Sequence, residues 1–558
     1  MEELSGCNAF MNILEDEGVE YIFGNPGTTE IPIMDCLIDH PRIKYVLGLQ
    51  EAVAMAMADG YSRASGKLSC ANFHVAPGLG NAIGAIYNAN FFGSPVIVTA
   101  GQQEHGFSIT EPLLYHQLVP MAQPVVKWAT EVHQPQEIPR ILRRAAKVAL
   151  TPPTGPVFVS LPGDVLKSRA TMSLGALTRV DSKSRPSAEA LKRLADRLLA
   201  SEHPVIIAGL EVYLSDAFEQ LAAVAELLGS AVFYQSVPSV AVFFTEHPLF
   251  MGELTRNQSV VKEKLAPYDL LFMVGGDGLR MSLPGPVEPL PAEMPIVQVG
   301  NRVWEIGKNY PAEIALVADV KETLTALIPI LEEKQTLKQI QRARQRSEEI
   351  QRVNWTTNRK NLIADISKHQ NTKPIQPDYL MMEICRNLPE EAVIVEEGIS
   401  STRNLFNFLS VKDRFRFFGM ASGGIGWGIA AAVGVKLALP HRPLVAIIGD
   451  GSSMYGIQAL WSAANQGLQI AYIITNNSGY SILKQRTFAY GGSSAASGRT
   501  IGMDLTDPSI GFVQLAAAMG VSGLEVSEPE AIGPALQTAL DADGPFLLNV
   551  KIQDISKL

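Results

Sequence analysis

The feature that most constrains this chain is the alternation of short, apolar, β-rich runs with longer helical stretches along nearly its whole length. Runs such as "YIFG" from Tyr21, "SPVIVTAG" from Ser94 and "GPVFVSLP" from Gly155 are typical of strands buried on both faces. Stretches between them, such as "EAVAMAMADGYSRASG", are long enough to form helices. This alternation predicts an α/β protein built from doubly wound parallel sheets.

Interruptions of the pattern divide the 558 residues into three sheet units and a linker. We predict a first domain over residues 1–180, a middle domain over residues 187–332, a charged linker over residues 333–374 and a third domain over residues 375–558. The middle unit carries "PVIIAGLEV", "DLLFMVGGDG" and "PIVQVG" and looks Rossmann-like, but no G-x-G-x-x-G follows these strands. The stretch "EEKQTLKQIQRARQRSEEIQRVNW" mixes acids with bases, which predicts a solvated connecting helix.

Composition excludes several classes of protein. Lys and Arg number 46 and Asp and Glu 56, a net charge of −10 that disfavours general binding to nucleic acid. No apolar run reaches membrane-spanning length, and the first residues lack the pattern of a signal peptide. The four cysteines contain no C-x-x-C pair, which indicates neither a disulfide framework nor a zinc site. We therefore expect a cytoplasmic enzyme without nucleic-acid or membrane partners.

An acid stands between two glycines at the end of one predicted strand, in "IIGDGSS". The strand "PLVAIIGD" ends at Asp450, "SSMYGIQALWSAANQG" reads as a helix, and "IAYIITNN" is the next strand, ending at Asn477. Neighbouring parallel strands lie about 5 Å apart, so both side chains would reach the crevice where such sheets bind ligands. Carboxylate and amide oxygens suit Mg²⁺ or Ca²⁺, and the helix N-terminus suits a diphosphate. The stretch therefore predicts a metal-held diphosphate.

The pattern of "GDG", 24 intervening residues and "NN" resembles the cofactor motif of thiamine-diphosphate-dependent enzymes. In "YVLGLQEAVAMAMADGYSRASGK", Glu51 occupies the position of that family's glutamate, which opens a helix after a strand. Several segments resemble the benzoylformate decarboxylase-like branch of 2-oxo-acid decarboxylases: "FGNPGTTEIP", "ANFHVAPGLGNAIGAI", "VTAGQQ", "VVKW", "GGIGWGIAAAVGVKLA" and "NNSGYSIL". The resemblance implies pyrimidine-binding, middle Rossmann-like and diphosphate-binding domains, in that order.

The resemblance also implies roles for individual residues. Glu51 would hydrogen-bond the pyrimidine ring of thiamine diphosphate, His74 would be the acid–base residue, and Thr28 would orient the substrate carboxylate. The metal, Mg²⁺ or Ca²⁺, would be bound by Asp450, Asn477 and the Gly479 carbonyl. The remaining cofactor contacts would come from Asn25, Pro26, Gly27, Ser400, Gly423, Ile425, Gly449, Gly451, Ser452, Ser453 and Tyr480.

Two features depart from the branch. Where the branch has a second active-site histidine in the middle domain, this chain has Ser282, and His105 and His116 are possible substitutes. Where the branch has aromatic residues in the substrate pocket, this chain has Gly419 and Arg486. A guanidinium in place of an aromatic ring points to a substrate with a second anionic or polar group, unless Arg486 faces solvent on a mobile loop. The predicted pocket comprises Leu113, Leu114, His116, Ser282, Thr402, Ile482 and Arg486.

The predicted function is non-oxidative decarboxylation of a small 2-oxo acid to an aldehyde by a thiamine-diphosphate-dependent lyase. The alternatives are a carboligase of the acetolactate-synthase kind, which passes the decarboxylated fragment to a second carbonyl compound, and a flavin-linked oxidase. The missing glycine-rich turn disfavours the oxidase, and the presence of Glu51, Asp450 and Asn477 disfavours a non-catalytic homologue. The resemblance implies a homodimer or homotetramer with the cofactor at the subunit interface, where the small-residue helices "EAVAMAMADG" and "GIAAAVGV" would pack.

Overall fold

Three six-stranded sheets organise the chain, and every strand pair within them is parallel. The computed structural model describes residues 1–281, 285 and 287–556, so the predicted pocket residue Ser282 lies outside the described residues. Helices cover the sheets, as expected for sheets whose strands are apolar on both faces. The predicted fold class is therefore confirmed.

The first sheet has the strand order β3-β2-β4-β5-β7-β6, and β1 pairs with β8 as an antiparallel ribbon. The strands are β1 (Glu2–Ser5), β2 (Tyr21–Gly24), β3 (Lys44–Leu47), β4 (Ser69–Phe73), β5 (Val96–Gln102), β6 (Ala129–Glu131), β7 (Val157–Pro162) and β8 (Arg169–Met172). The α-helices are α1 (Gly6–Asp16), α2 (Ile31–Cys36), α3 (Glu51–Ser65), α4 (Val75–Phe92), α5 (Leu118–Ala122), α6 (Ile138–Leu150) and α7 (Gly163–Lys167).

The middle sheet has the strand order β11-β10-β9-β12-β13-β14. Its strands are β9 (Pro204–Ala208), β10 (Ala231–Tyr234), β11 (Phe250–Glu253), β12 (Leu270–Val274), β13 (Ile296–Gly300) and β14 (Ile314–Val317). The helices, including those of the connection, are α8 (Ala188–Ala200), α9 (Leu210–Leu214), α10 (Phe218–Leu228), α11 (Gln258–Leu265), α12 (Val320–Lys334), α13 (Leu337–Gln351) and α14 (Trp355–Ile366).

The charged connection is helical, but it is neither continuous nor merely solvated. Thr336 starts a new helix, because its hydroxyl accepts from the Gln339 N–H while the Gln339 side chain caps it in return. Ala343 is buried, and Arg346 donates to the carbonyl of Glu202, so α13 packs on the middle unit. The alternating charges indicate the exposed face of this helix, but they do not indicate the face that packs on the middle unit.

The third sheet has the strand order β16-β15-β17-β18-β20-β19. Its strands are β15 (Val393–Glu397), β16 (Phe417–Gly419), β17 (Leu444–Gly449), β18 (Ala471–Asn476), β19 (Ser522–Val526) and β20 (Phe546–Lys551). Its helices are α15 (Pro377–Asn387), α16 (Gly428–Ala438), α17 (Asp450–Ser453), α18 (Ala459–Asn465), α19 (Ser481–Tyr490), α20 (Ser493–Ser497), α21 (Phe512–Ala518) and α22 (Ile532–Leu540). The prediction of one helix after Asp450 was wrong, because turns over residues 454–458 separate α17 from α18.

The small-residue helices α3 and α16 pack against each other inside one chain, which corrects their expected placement at a subunit interface. A Cβ added to Gly434 would lie 2.6 Å from the backbone nitrogen of Tyr61, and one added to Gly60 would lie 2.9 Å from the Cα of Ala431. Only glycine permits so close an approach of two helix backbones. The contact joins the first unit to the third. Among the described residues, no helix has the length and apolar content to cross a bilayer.

Candidate active site

The carboxyl edge of the first sheet carries the residues predicted for the pyrimidine side of the site. Strand β2 leads into Asn25, Pro26, Gly27 and Thr28, β3 leads to Glu51, and β4 leads directly to His74. Because β3, β2 and β4 are parallel neighbours, these segments leave the sheet at the same edge. Thr28 is exposed, whereas Glu51 is buried.

Glu51 is the first residue of α3 and is held between two helices. The Gln50 side chain caps α3 by accepting from the Val53 N–H at 3.1 Å. The Glu51 Oε2 accepts a hydrogen bond from the Asn81 side chain at 3.0 Å. Gly78 on α4 is so close that an added Cβ would lie 3.2 Å from the Glu51 Oε1. A carboxyl fixed in this way has one defined orientation for a further hydrogen bond.

His74 is oriented by a carboxylate that the sequence reasoning missed. Its Nδ1 lies 2.9 Å from the Glu30 Oε2, and Glu30 is fully buried. The Thr29 hydroxyl donates to the Glu30 Oε1 at 2.6 Å. Because an ionised carboxylate can only accept, the His74 Nδ1 is the donor in its bond to Glu30. Backbone N–H groups of Gly27 and Gly101 complete the carboxylate's bonds, each at 2.9 Å. The signal was available: the acid in "NPGTTEIP" follows a strand at this edge.

At the carboxyl edge of the third sheet, the two predicted metal ligands converge on one backbone amide. The Gly479 N–H donates to the Asp450 Oδ2 at 3.1 Å and to the Asn477 Oδ1 at 3.2 Å. Burial raises the pKa of Asp450, while the N–H groups of Gly451 and Gly479 act in the opposite direction. Two hard oxygens brought close together by a shared backbone N–H, one of them on a buried carboxylate, fit Mg²⁺ or Ca²⁺, which would also hold the carboxylate ionised.

The backbone beside these ligands forms a cradle suited to phosphate oxygens. Gly451 lies under the Tyr480 ring, where an added Cβ would be 2.9 Å from the ring's Cδ1. Ser452 and Ser400 are buried at the same sheet edge, each at 7% exposure or less. The Ser453 hydroxyl donates to the Asp450 carbonyl at 2.7 Å, so it is part of the turn. The residues predicted to bind the diphosphate therefore lie at the sheet edge that carries the predicted metal ligands.

The loop with Gly423 and Ile425 is held by a second carboxylate that was missed, Glu397. Its oxygens accept hydrogen bonds from the N–H groups of Gly426 and Gly428, just past Ile425. Glu397 is fully buried, and burial raises its pKa to about 8 against the effect of these N–H groups. It ends β15, the neighbour of the strand that leads to Asp450, so its position at this edge could have identified it.

A cavity of about 1070 Å³ lies between the middle and third units. The predicted pocket residues Thr402, Ile482 and Arg486 line it. Leu113, Leu114 and His116 do not; they lie on an exposed segment between β5 and α5.

Three arginines give this cavity its charge. Arg256, Arg403 and Arg486 line it and are close enough that Arg486 and Arg403 lower the pKa of Arg256, although burial contributes most. Among the described residues, Arg256 and Arg486 donate no hydrogen bond and form no salt bridge within 4 Å of a carboxylate, although Glu253 and Glu396 attract Arg256 at longer range. Both arginine side chains are exposed, so they face solvent as well as the cavity. Burial raises the pKa of the lining acid Glu253 to about 8 and also raises that of Glu396. The cavity therefore favours an anionic group.

The pyrimidine-side residues and the diphosphate-side residues form two separate groups. Among the described residues, no hydrogen bond or ion pair joins Glu51 or His74 to Asp450, Asn477 or Ile425. Each group has the chemistry expected for its half of a cofactor site.

Family models match three parts of the chain. Residues 4–114 match the N-terminal TPP binding domain of thiamine pyrophosphate enzymes, residues 191–327 match the central domain, and residues 400–550 match the C-terminal TPP binding domain.

Whole-chain relatives agree with these matches. The chain is 32% identical to benzoylformate decarboxylase of Pseudomonas aeruginosa, covering 98% of this chain and 99% of that one. It is 26% identical to the acetolactate synthase large subunit of Haemophilus influenzae, covering 97% and 92%. A thiamine diphosphate-dependent 4-hydroxybenzoylformate decarboxylase from Rhodococcus jostii superposes with a TM-score of 0.87 at 30% identity, covering 99% of this chain and 100% of that one. Benzoylformate decarboxylase of Polynucleobacter necessarius has a TM-score of 0.88 at 27% identity, with 99% coverage of both chains.

Proposed function

Because the chain belongs to the thiamine pyrophosphate enzyme family, in its benzoylformate decarboxylase-like branch, we propose that it decarboxylates a 2-oxo acid to an aldehyde without oxidation. The observation that carries the proposal is the pair of carboxyl groups at the first sheet edge, Glu51 on α3 and Glu30 beneath His74. Glu51 fits a hydrogen bond to the cofactor's pyrimidine ring, and Glu30 orients His74 to act as a proton donor.

Thiamine diphosphate, when bound, supplies a thiazolium ring that accepts the electron pair left behind as CO₂ departs. Asp450, Asn477 and the Gly479 carbonyl would hold its diphosphate through Mg²⁺ or Ca²⁺, and Glu51 would exchange a proton with its pyrimidine nitrogen. Ile425 would support the cofactor from a loop fixed by Glu397.

His74 would move the substrate's proton. Because its Nδ1–H is directed to Glu30, its Nε2 is the nitrogen available for exchange with the substrate side. The buried carboxylate also stabilises the protonated ring after it has taken a proton. Thr28, exposed at the start of the same turn, would orient the substrate carboxylate.

The arginines of the cavity support a narrower proposal for the substrate: a 2-oxo acid with a second anionic group at its far end. Arg256 and Arg486 donate no hydrogen bond to another described residue, and Arg256 is only attracted at longer range by the lining acids Glu253 and Glu396. Both side chains are exposed, so a substrate carboxylate could reach either of them. Loss of a hydrogen bond to a charged group costs about 1.5–3 kcal/mol, or roughly 10–100-fold in binding.

The test is a panel of 2-oxo acids, with CO₂, aldehyde and ketol measured for each. The matched substrates are a 2-oxo dicarboxylic acid and its ω-amide. We expect Arg486→Gln to raise KM for the diacid about 10-fold or more and to leave KM for the amide nearly unchanged. Equal effects on both would remove the anion-binding role and leave the decarboxylase proposal standing.

Two variants test the machinery itself. Glu51→Gln is expected to bind thiamine diphosphate and Mg²⁺ in calorimetry yet lose most turnover. Asp450→Ala is expected to lose the cofactor on dialysis. Full turnover in the first variant, or full retention of the cofactor by the second, would contradict the assigned roles.

The second candidate is carboligation, favoured by the cavity volume and by the acetolactate synthase relatives. At about 1070 Å³ the cavity has room for an acceptor carbonyl compound beside a small 2-oxo acid. If a ketol is the main product, carboligation rather than aldehyde formation becomes the proposed function. We also propose a homodimer or homotetramer in which the two residue groups meet across subunits, because no hydrogen bond or ion pair joins them within the described part of one chain.

A further inference from the structure

Two histidines and a glutamate converge where β5 and β6 end, further along the carboxyl edge of the first sheet from Glu51 and His74. His105 follows β5, while Glu131 ends β6 and His133 follows it. Because β5, β7 and β6 are adjacent parallel strands, these residues leave the sheet at one edge. One ligand atom from each of the three lies within 4.8 Å of the other two. The His105 Nε2 is 3.9 Å from the Glu131 Oε1, and the two imidazole rings are 5.5 Å apart.

Each of these side chains is already oriented by a neighbour. The His105 Nδ1 lies 3.0 Å from the Asp164 Oδ2, which directs its Nε2 toward Glu131. The Ser160 hydroxyl donates to the Glu131 Oε2 at 2.8 Å and leaves the other carboxylate oxygen on the histidine side. Metal-binding histidines usually bond a carboxylate through the ring nitrogen that does not bind the metal.

The His105 Nε2 is buried and has no hydrogen-bond partner among the described residues. A buried polar atom without a partner is rare and calls for an explanation such as a bound ion. Glu137 accepts from the backbone N–H of His133 at 2.9 Å, which fixes the turn while the exposed His133 ring remains able to rotate.

We propose that His105, Glu131 and His133 bind a divalent transition metal of the Zn²⁺ class. Imidazole with carboxylate ligands suits Zn²⁺ rather than Mg²⁺. Ligand atoms bound tetrahedrally at about 2.1 Å lie roughly 3.4 Å from one another. Rotation of the exposed His133 ring would shorten the distances to its own nitrogen, and the His105 Nε2 and Glu131 Oε1, now 3.9 Å apart, would approach by about 0.5 Å. Three protein ligands leave one position for water.

The site would connect three strands to the segment that follows β5. That segment runs from His105 to Gln117 and is mostly exposed in its second half. A metal bound at its first residue would hold its start on the sheet, so segment order would depend on the metal. This inference is independent of the proposed function.

The test is titration of Zn²⁺ into the untagged full-length protein, saturated with thiamine diphosphate and Mg²⁺, by calorimetry. Co²⁺ serves as a second probe because its visible absorption reports imidazole coordination. We expect one Zn²⁺ per chain in the wild type, loss of that site in His105→Gln and His133→Gln, and retention in His369→Gln, which removes an exposed histidine of the connection. Absence of wild-type binding, or equal binding by all three variants, would overturn the site.

Asp164→Asn keeps the inference testable if a ligand variant fails to fold. Asp164 is not a ligand in this proposal, and loss of such a supporting carboxylate typically weakens metal binding about 10–100-fold. Weakened binding in a normally folded Asp164→Asn protein supports the site. Unchanged affinity in that protein would overturn the site, because the orientation of His105 by Asp164 is one of the observations behind it.

Discussion

The close contact between α3 and α16 makes one substitution unusually informative: Gly434→Ala. In a helix interior, replacing glycine by alanine ordinarily stabilises by about 0.5–1 kcal/mol. Here the new Cβ would lie 2.6 Å from the backbone nitrogen of Tyr61 and closer still to the Met57 carbonyl. Van der Waals contact needs about 3.5–4 Å, so the two helices must separate by roughly 1 Å. No rotamer change relieves a clash with backbone.

We expect Gly434→Ala to destabilise the contact by about 1–3 kcal/mol, the usual cost of overpacking. Because a chain with three sheets does not unfold in two states, the measurement is amide hydrogen exchange by mass spectrometry on peptides of α3 and α16. About 1.4 kcal/mol corresponds to tenfold faster exchange, so an acceleration of roughly 5–100-fold is expected. Gly60→Ala on the facing helix should act in the same direction.

The matched control is Gly533→Ala on α22. There an added Cβ would meet only the end of the exposed Asn387 side chain, which can swing away, so a change within about 0.5 kcal/mol is expected. If the exchange of α3 and α16 amides were no faster in Gly434→Ala than in Gly533→Ala, the backbones of α3 and α16 would not be in close contact.

Three further outcomes follow from buried charges. Asp59→Asn should destabilise α3 locally by about 3–5 kcal/mol, because it leaves the fully buried guanidinium of Arg63 without its carboxylate partner. The same hydrogen-exchange experiment measures this cost, and a value below about 1 kcal/mol would contradict the prediction. Burial raises the folded-state pKa of Glu397 from its ordinary 4.5 to about 8, so wild-type stability should fall as pH rises from about 4.5 to 8. The melting temperature of Glu397→Gln should not show this part of the fall. The same dependence of melting temperature on pH in both proteins would refute the prediction. Glu30→Gln should lower kcat while calorimetry still shows cofactor binding, because His74 loses the carboxylate that orients its ring; an unchanged kcat would contradict this role.

The sheet architecture could be predicted because its signals are local. Apolar runs such as "SPVIVTAG" and "PIVQVG" became β5 and β13, and the acid after "VAIIG" marked a sheet edge. The positions of Glu30 and Glu397, at or just after the ends of strands, could have marked them, but their roles could not be predicted, because His74 and the Gly426–Gly428 loop lie far from them in sequence. The residues around Glu30 do not indicate that its partner is His74, which lies 44 residues later in the chain. The same holds for α3 and α16, whose small residues indicate close packing without naming the partner helix.

Helix α3 explains why stability and reactivity should be linked in this protein. Its 15 residues span about 22 Å. Glu51 stands at its first residue, Gly60 contacts α16, and Asp59 with Arg63 forms a buried ion pair that reaches the third unit through the Gly419 carbonyl. A rigid helix transmits displacement along its length, so a shift of about 1 Å at Gly60 also moves Glu51. Misplacement of that size can cost about 100-fold in rate. The packing variants should therefore lose turnover while they still bind the cofactor's diphosphate, whose ligands lie on different elements.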